Sequence, residues 1–290
     1  MRFTFLLLVL TSISLTAQDL PSTNIYVFDF QQGSDSIFSL SNPRFLTADN
    51  ATGYNNQPAF VGNNRLLITA ARPGEAQPDV YELDLSTRSK TRITHTKEGE
   101  YSPTPAPDGF RFSAVRVEMD ANNSQRLWQF PLDRSGKGTP IFDVLRGVGY
   151  HQWMDRNRIA MFIVGEPHYL VVGDVRDGST KHLAVNIGRS LQLLPNGNLI
   201  YVDKATPSTW FLKELDKNTL SARTVASTVR GSEDLAVLPD GSILMAKGSK
   251  LYRLRNNTDY WGEIADFSRF GLNAIKRIAV KGNRIVLVNG

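Results

Sequence analysis

No cysteine occurs anywhere in the 290-residue sequence. That excludes disulfide staples and a lipid anchor on a cysteine behind the N-terminal segment, so the core alone must hold the fold. A mature chain of about 270 residues suffices, since domains near that size bury roughly three quarters of their unfolded surface. A secreted chain without cysteine fits a bacterial periplasm or exterior better than an animal secretory route. Histidine is scarce too. The four, His95, His151, His168 and His182, never show the His-x-x-x-His spacing that places two imidazoles on one helix face, so zinc is not expected. After the N-terminus no segment approaches the ~20 apolar residues of a transmembrane helix. The net charge of +5 is modest, and the chain lacks the Lys/Arg stripe of a nucleic-acid groove. Lys247, Lys250, Arg253 and Arg255 form the densest basic run, spread over a hairpin as a solvated face would be. The pairs Gly136/Gly138 and Gly147/Gly149 lack the third glycine and following helix of a dinucleotide site, and no Gly-x-Ser-x-Gly nucleophile turn is present. Pro and Gly are spread along the chain rather than gathered in a linker, so residues 18–290 read as one domain.

What is present begins with residues 1–17. A lone Arg2 precedes the apolar run from Phe3 to Leu10, and small residues follow to Ala17. This is the pattern of a cleavable secretory signal, so the protein is expected to be exported, to periplasm or exterior, without these residues.

The rest of the chain repeats one unit. In residues 101–117 an Asp-Gly pair, Asp108 and Gly109, stands between two apolar-rich segments, and prolines before it forbid a helix. The pair predicts a two-residue hairpin turn. Related copies occupy residues 58–71, 102–117, 151–164, 191–203, 234–246 and 275–288. Their turn centres are separated by roughly 41–47 residues, the period of a four-stranded propeller blade. Helical solenoids share that period but need an apolar spacing of 3.6, which no copy shows. In five copies the segment after the turn is nearly continuously apolar, as in Ile159–Val164 and Ile285–Val288. Such a strand needs cover on both faces, which a blade between two neighbours receives. The last copy holds only two strands before the chain ends. Residues 24–30 repeat the third-strand pattern of residues 79–85, and residues 38–47 read as a fourth strand. The expectation is an all-β, six-bladed propeller of four-stranded antiparallel blades, its last blade closed by N- and C-terminal strands.

The units Tyr-Ser-Pro-Thr-Pro-Ala-Pro-Asp-Gly at 101–109 and Val-Tyr-Glu-Leu-Asp at 80–84, with the endings Arg-Ile-Thr at 92–94 and Phe-Leu-Thr at 45–47, resemble the Pro-Asp-Gly repeats of TolB-like propellers. Pro195 to Gly197 and Pro239 to Gly241 keep the turn, whereas Asp155, Arg156 and Asn157 replace it in the third copy. The resemblance implies the propeller and residence in a bacterial envelope. The member that names the family carries an additional N-terminal α/β domain and works with an envelope protein complex, and prolyl-peptidase-type relatives carry a hydrolase domain. Neither domain is expected in this chain.

In a propeller the segments leading into the first strands converge beside the central channel. Those positions supply the candidate ligand-binding residues Asn56, Glu100, Tyr101, Tyr150, His151, Arg189, Ser190, Glu233 and Asp234. Arg189 suits a carboxylate through its guanidinium fork, and Tyr101 and Tyr150 suit a sugar or ring. The expected role is binding or assembly of a protein, peptide or polar small molecule, with no cofactor and no nucleic acid. The alternative is a propeller hydrolase or lactonase in which Asn55, Glu100, Glu233, Asp234 and Asn273 meet around calcium.

Overall fold

The computed structural model describes residues 20–32 and 38–290, so the expected signal segment lies outside the described residues. Twenty-four strands form six four-stranded antiparallel sheets, each a blade of one closed ring. The inner strands, in ring order, are Tyr54–Val61, Gly99–Pro105, Val148–Trp153, Ile187–Leu193, Leu235–Val237 and Ile275–Lys281. They define blades one to six. Blade six runs outward from Ile275–Lys281 through Arg284–Asn289 and Asn24–Gln32 to Phe38–Phe45, so both ends of the described chain share one sheet, as expected from the sequence.

Each second strand is buried on both faces and divides its side chains between two interfaces. In blade four, Leu199 and Tyr201 pack with Ala160 and Phe162 of blade three. Ile200 and Val202 pack with Ile243 and Met245 of blade five. The alternation follows from the two-residue period of a strand, and the apolar run follows because neither face meets water. Six core clusters result, one between every pair of neighbouring blades. The N-terminal strand belongs to two of them: Phe28 and Phe30 face blade five, while Ile25 and Val27 face blade one.

The hairpin turns differ from the sequence expectation. The Pro-Asp-Gly loops are longer than two residues, because Ala106 N–H bonds Arg111 O, and Leu238 N–H bonds Ser242 O. Only the glycine takes a positive φ, +78° at Gly109 and +84° at Gly241. The aspartate carboxylate closes the loop by accepting backbone N–H groups, those of Phe110 and Arg111 at Asp108 and that of Ser242 at Asp240. Proline and aspartate thus shape a turn that glycine ends, and Asn196 does the same work by accepting from Asn198 N–H. Blade three keeps the aspartate without the glycine, with Asp155 accepting from Asn157 and Arg158.

Candidate functional site: a closed channel pocket

The inner strands are interrupted where they begin. Pairing to the second strand shifts between Asn56 and Ala59, Tyr101 and Thr104, Val148 and Tyr150, Ile187 and Leu191, and Ile275 and Arg277. An extra residue in a strand bends it and re-aims its side chains. At two of these places a non-glycine residue is held at positive φ, Gln57 at +55° and Ser102 at +53°, and Gln57 Oε1 accepts the Ser102 N–H at 2.8 Å.

Beyond these bulges a cavity of about 410 Å³ opens in the channel. Its lining runs from Gln57, Ser102, Tyr150, Arg189, Asp234 and Arg277 to Phe60, Pro105, Gln192 and Lys281 at the hairpin ends of the inner strands. The site therefore lies deeper along the inner strands than the loops leading into them, where the sequence placed it.

Arg277 explains the shift. Its guanidinium crosses from blade six, with Nε donating to Asn56 Oδ1 of blade one at 2.9 Å and Nη2 to the Tyr150 hydroxyl of blade three, directly opposite, at 2.8 Å. The group also stacks on the Tyr150 ring, 4.8 Å from its centroid, and pairs with Asp234 of blade five at 3.5 Å. One side chain thus ties four blades together at the level where the lining stops. Asp234 further accepts the Ile278 N–H at 2.8 Å. Burial pushes its carboxyl up to about 6, against the attraction of Arg277 and Arg189.

Six of the nine expected residues meet in this network. Tyr150, His151, Arg189, Ser190 and Asp234 line the cavity, and Asn56 holds Arg277. Glu233 stands behind Arg189, pairing with its Nε at 3.5 Å and with Lys204 at 3.2 Å. Ser190 faces away, since its hydroxyl is bonded to the backbone of Leu235. Two expectations are corrected. Glu100 is fully enclosed beside Arg116, 3.0 Å away, and Thr96, and burial raises its carboxyl despite them. Tyr101 packs against the core between blades two and three, and burial raises its phenol. Neither lines the cavity, because the bulge after each turns the preceding side chains into the blade interfaces.

His151 is nearly enclosed, and burial pushes its imidazole down to about 3, so the ring is neutral at physiological pH. Its Nε2 lies 2.5 Å from Ser113 Oγ, which also accepts the Trp153 indole N–H at 2.9 Å. Ser113 Oγ also reaches Thr104 O at 3.3 Å, and the direction of its bond with Nε2 follows the imidazole tautomer. Nδ1 has no partner among the described residues.

Four of the five residues read as a calcium set are held by other partners. Asn55 is bonded to Asn50 and Thr23, Glu100 to Arg116, Asp234 to Arg277, and Glu233 to Arg189 and Lys204. Among the described residues no three His, Cys, Asp or Glu stand together as metal ligands. Sequence reading missed Arg277, Gln192 and Lys281. The signal was present in Lys276 and Arg277, two charges inside the otherwise apolar run Ile275 to Val280.

Asp234 makes the stability pH-dependent in a defined direction. Its folded value near 6 lies above the ordinary 3.8, so its stabilising contribution is complete below about pH 4 and is lost as pH rises through about 6. The melting temperature of the wild type minus that of Asp234→Asn is therefore expected to fall between about pH 4 and about pH 7. A difference constant over that range would mean that Asp234 does not titrate there.

Comparison with known proteins places this architecture. No protein-family model and no curated protein matches the sequence. Solved structures do match. A TolB protein of Agrobacterium tumefaciens shares 11% identity over 92% of this chain and 98% of its own, with a TM-score of 0.69. TolB of Acinetobacter baumannii shares 14% over 92% of this chain, with a TM-score of 0.60, and this chain spans 64% of its length. An oligogalacturonate lyase in complex with manganese shares 15% over 94% of this chain and 98% of its own, with a TM-score of 0.54. Identities this low speak for the fold alone, and in fold the chain is a six-bladed propeller like those of the TolB proteins.

Proposed function

We propose that the chain is an exported, periplasmic binding or assembly module that takes up a protein segment or polar ligand in its channel pocket. The convergence of Tyr150, His151, Arg189, Asp234 and Arg277 from three inner strands and the segment before a fourth, around one cavity, carries the reading. Rigid strands supply every one of these groups except Asp234, whose carboxylate is pinned by the Ile278 N–H. A site so organised loses little entropy on binding. Export rests on residues 1–17 and on the absence of cysteine. The TolB likeness is consistent with a protein partner.

The lyase likeness motivates the enzymatic alternative. Against it, the carboxylates around the channel are engaged by Arg277, Arg189, Lys204 and Arg116, so a free carboxylate to act as general base is missing from the described cavity lining.

Immobilised mature protein should retain specific material from envelope extract of its own source. Gln192→Trp, which fills the cavity from its wall, should abolish retention. Arg189→Ala should weaken it by about 1.5–3 kcal/mol, the range for a hydrogen bond to a charged group. Its melting temperature should hardly change, because Glu233 keeps Lys204 and the side chain lies outside the core. Retention unaffected by both variants would remove the pocket from the function.

A further inference from the structure

The pocket carries more cation than its own anions use. Its lining holds Arg189, Arg277 and Lys281 against the single carboxylate of Asp234. Arg277 is committed to Asp234, Asn56 and Tyr150. Arg189 is not. Its one ionic contact is through Nε, 3.5 Å from Glu233, and that nitrogen has no hydrogen-bond partner among the described residues. Glu233 is in turn shared with Lys204 at 3.2 Å, the closer of its two cations. The terminal nitrogens of Arg189 thus have no acceptor among the described residues, and a planar fork with two parallel donors matches a carboxylate.

A second observation points the same way. His151 lines the same cavity, is 6% exposed, and its Nδ1 has no partner among the described residues. A buried polar nitrogen left unpaired is costly, and a polar ligand group would relieve it. Because burial keeps the ring neutral, it offers a hydrogen bond without a second charge. The remaining wall is mixed, with Pro58 and Pro103 beside Gln57, Thr104, Gln152 and Gln192.

We propose that the channel pocket recognises a ligand by one carboxylate, seated on the Arg189 fork, with the rest of the ligand running along the inner strands toward the hairpin face. This rests on the channel being the binding site, and it names the chemistry recognised there. A single negative charge is matched to the Arg189 terminal nitrogens, while its Nε pairs with Glu233. A phosphate dianion would set a second charge against Asp234 and Glu233, and the remaining lining cation, Lys281, lies at the hairpin end of its strand, away from the fork. The carboxylate has two sources, the C-terminus of a peptide or a small organic acid.

Calorimetric titration of the mature protein near neutral pH separates these. The probes are hexanoate, hexanamide, acetyl-Ala-Val-Leu with a free C-terminus, the same peptide amidated, and phenyl phosphate. An acid is expected to bind at least about tenfold more tightly than its neutral amide, equal to about 1.4 kcal/mol. Arg189→Gln, checked for an unchanged melting temperature, should erase that preference. Binding of the peptide acid alone assigns the carboxylate to a chain terminus, and binding of hexanoate alone or of both acids shows that a small acid suffices. Equal binding of acid and amide, tighter binding of phenyl phosphate, no binding of any probe, or a preference that survives Arg189→Gln overturns the proposal. The two readings fail separately. Capture from extract that is lost in Gln192→Trp while acids and amides bind alike keeps the site and removes carboxylate recognition. Capture that persists in Gln192→Trp removes the site as the partner surface whatever the acids do.

Discussion

Deletion of residues 24–30 is expected to unfold the entire propeller rather than loosen one blade. The segment supplies the third strand of blade six, paired from Asn24 with Asn289 to Asp29 with Arg284. Without it the outermost strand, Phe38–Phe45, has no partner. The ring would then expose the edge of Arg284–Asn289, whose residues from Ile285 to Val288 are fully buried. Ile25, Val27 and Phe28 are also fully buried, and each contributes roughly 1.5–3 kcal/mol by leaving water. Three such residues approach the whole stability of a domain, about 5–15 kcal/mol. The loss crosses two interfaces at once, with blade five through Phe28 and with blade one through Ile25 and Val27. Circular dichroism should show no cooperative melting transition in the truncated chain. A transition at the temperature of the intact mature protein would mean that blade six holds without this strand.

Replacing Arg277 by Ala is expected to cost about 3–5 kcal/mol at pH near 8, because it leaves Asp234 buried and without its closest countercharge. Asn56 and the Tyr150 hydroxyl lose a donor in the same step. The cost should shrink below about pH 5, where Asp234 is protonated and no longer needs the guanidinium. The sign follows from linkage. Loss of the cation raises the folded value of Asp234 further above its unfolded value, so the variant loses more stability than the wild type as pH rises. Urea unfolding at the two pH values measures both quantities. A loss under about 1 kcal/mol, or one that does not change with pH, would show that Arg277 lies in the channel without holding it.

How far the sequence reached differs between fold and site. The blades were legible because their signals are local. Gly-, Asn- and Asp-containing loops, Pro-Asp-Gly in blades two and five, mark the inner hairpins, and apolar runs such as Ile159 to Ile163 report burial on both faces without any knowledge of the neighbours. Even closure was legible, since residues 24–30 repeat the pattern of residues 79–85. The site was legible as a ring of positions but not as a set of contacts. Tyr101 and Asn56 are each the last residue paired before their bulges, yet Tyr101 packs into the interface with blade three while Asn56 turns to Arg277.

The sequence by itself determined the repeat, the number of blades and the strand that closes them, because turn chemistry and two-sided burial are written residue by residue. Only the tertiary structure decided which polar residues meet. Arg277 and Asn56 are 221 positions apart, and Arg277 and Tyr150 are 127 apart, yet the ring sets them within one hydrogen bond of each other. No local pattern encodes such a distance. Bulges of one residue, and a single arginine long enough to cross the channel, fix where the pocket ends and which charge it leaves unanswered.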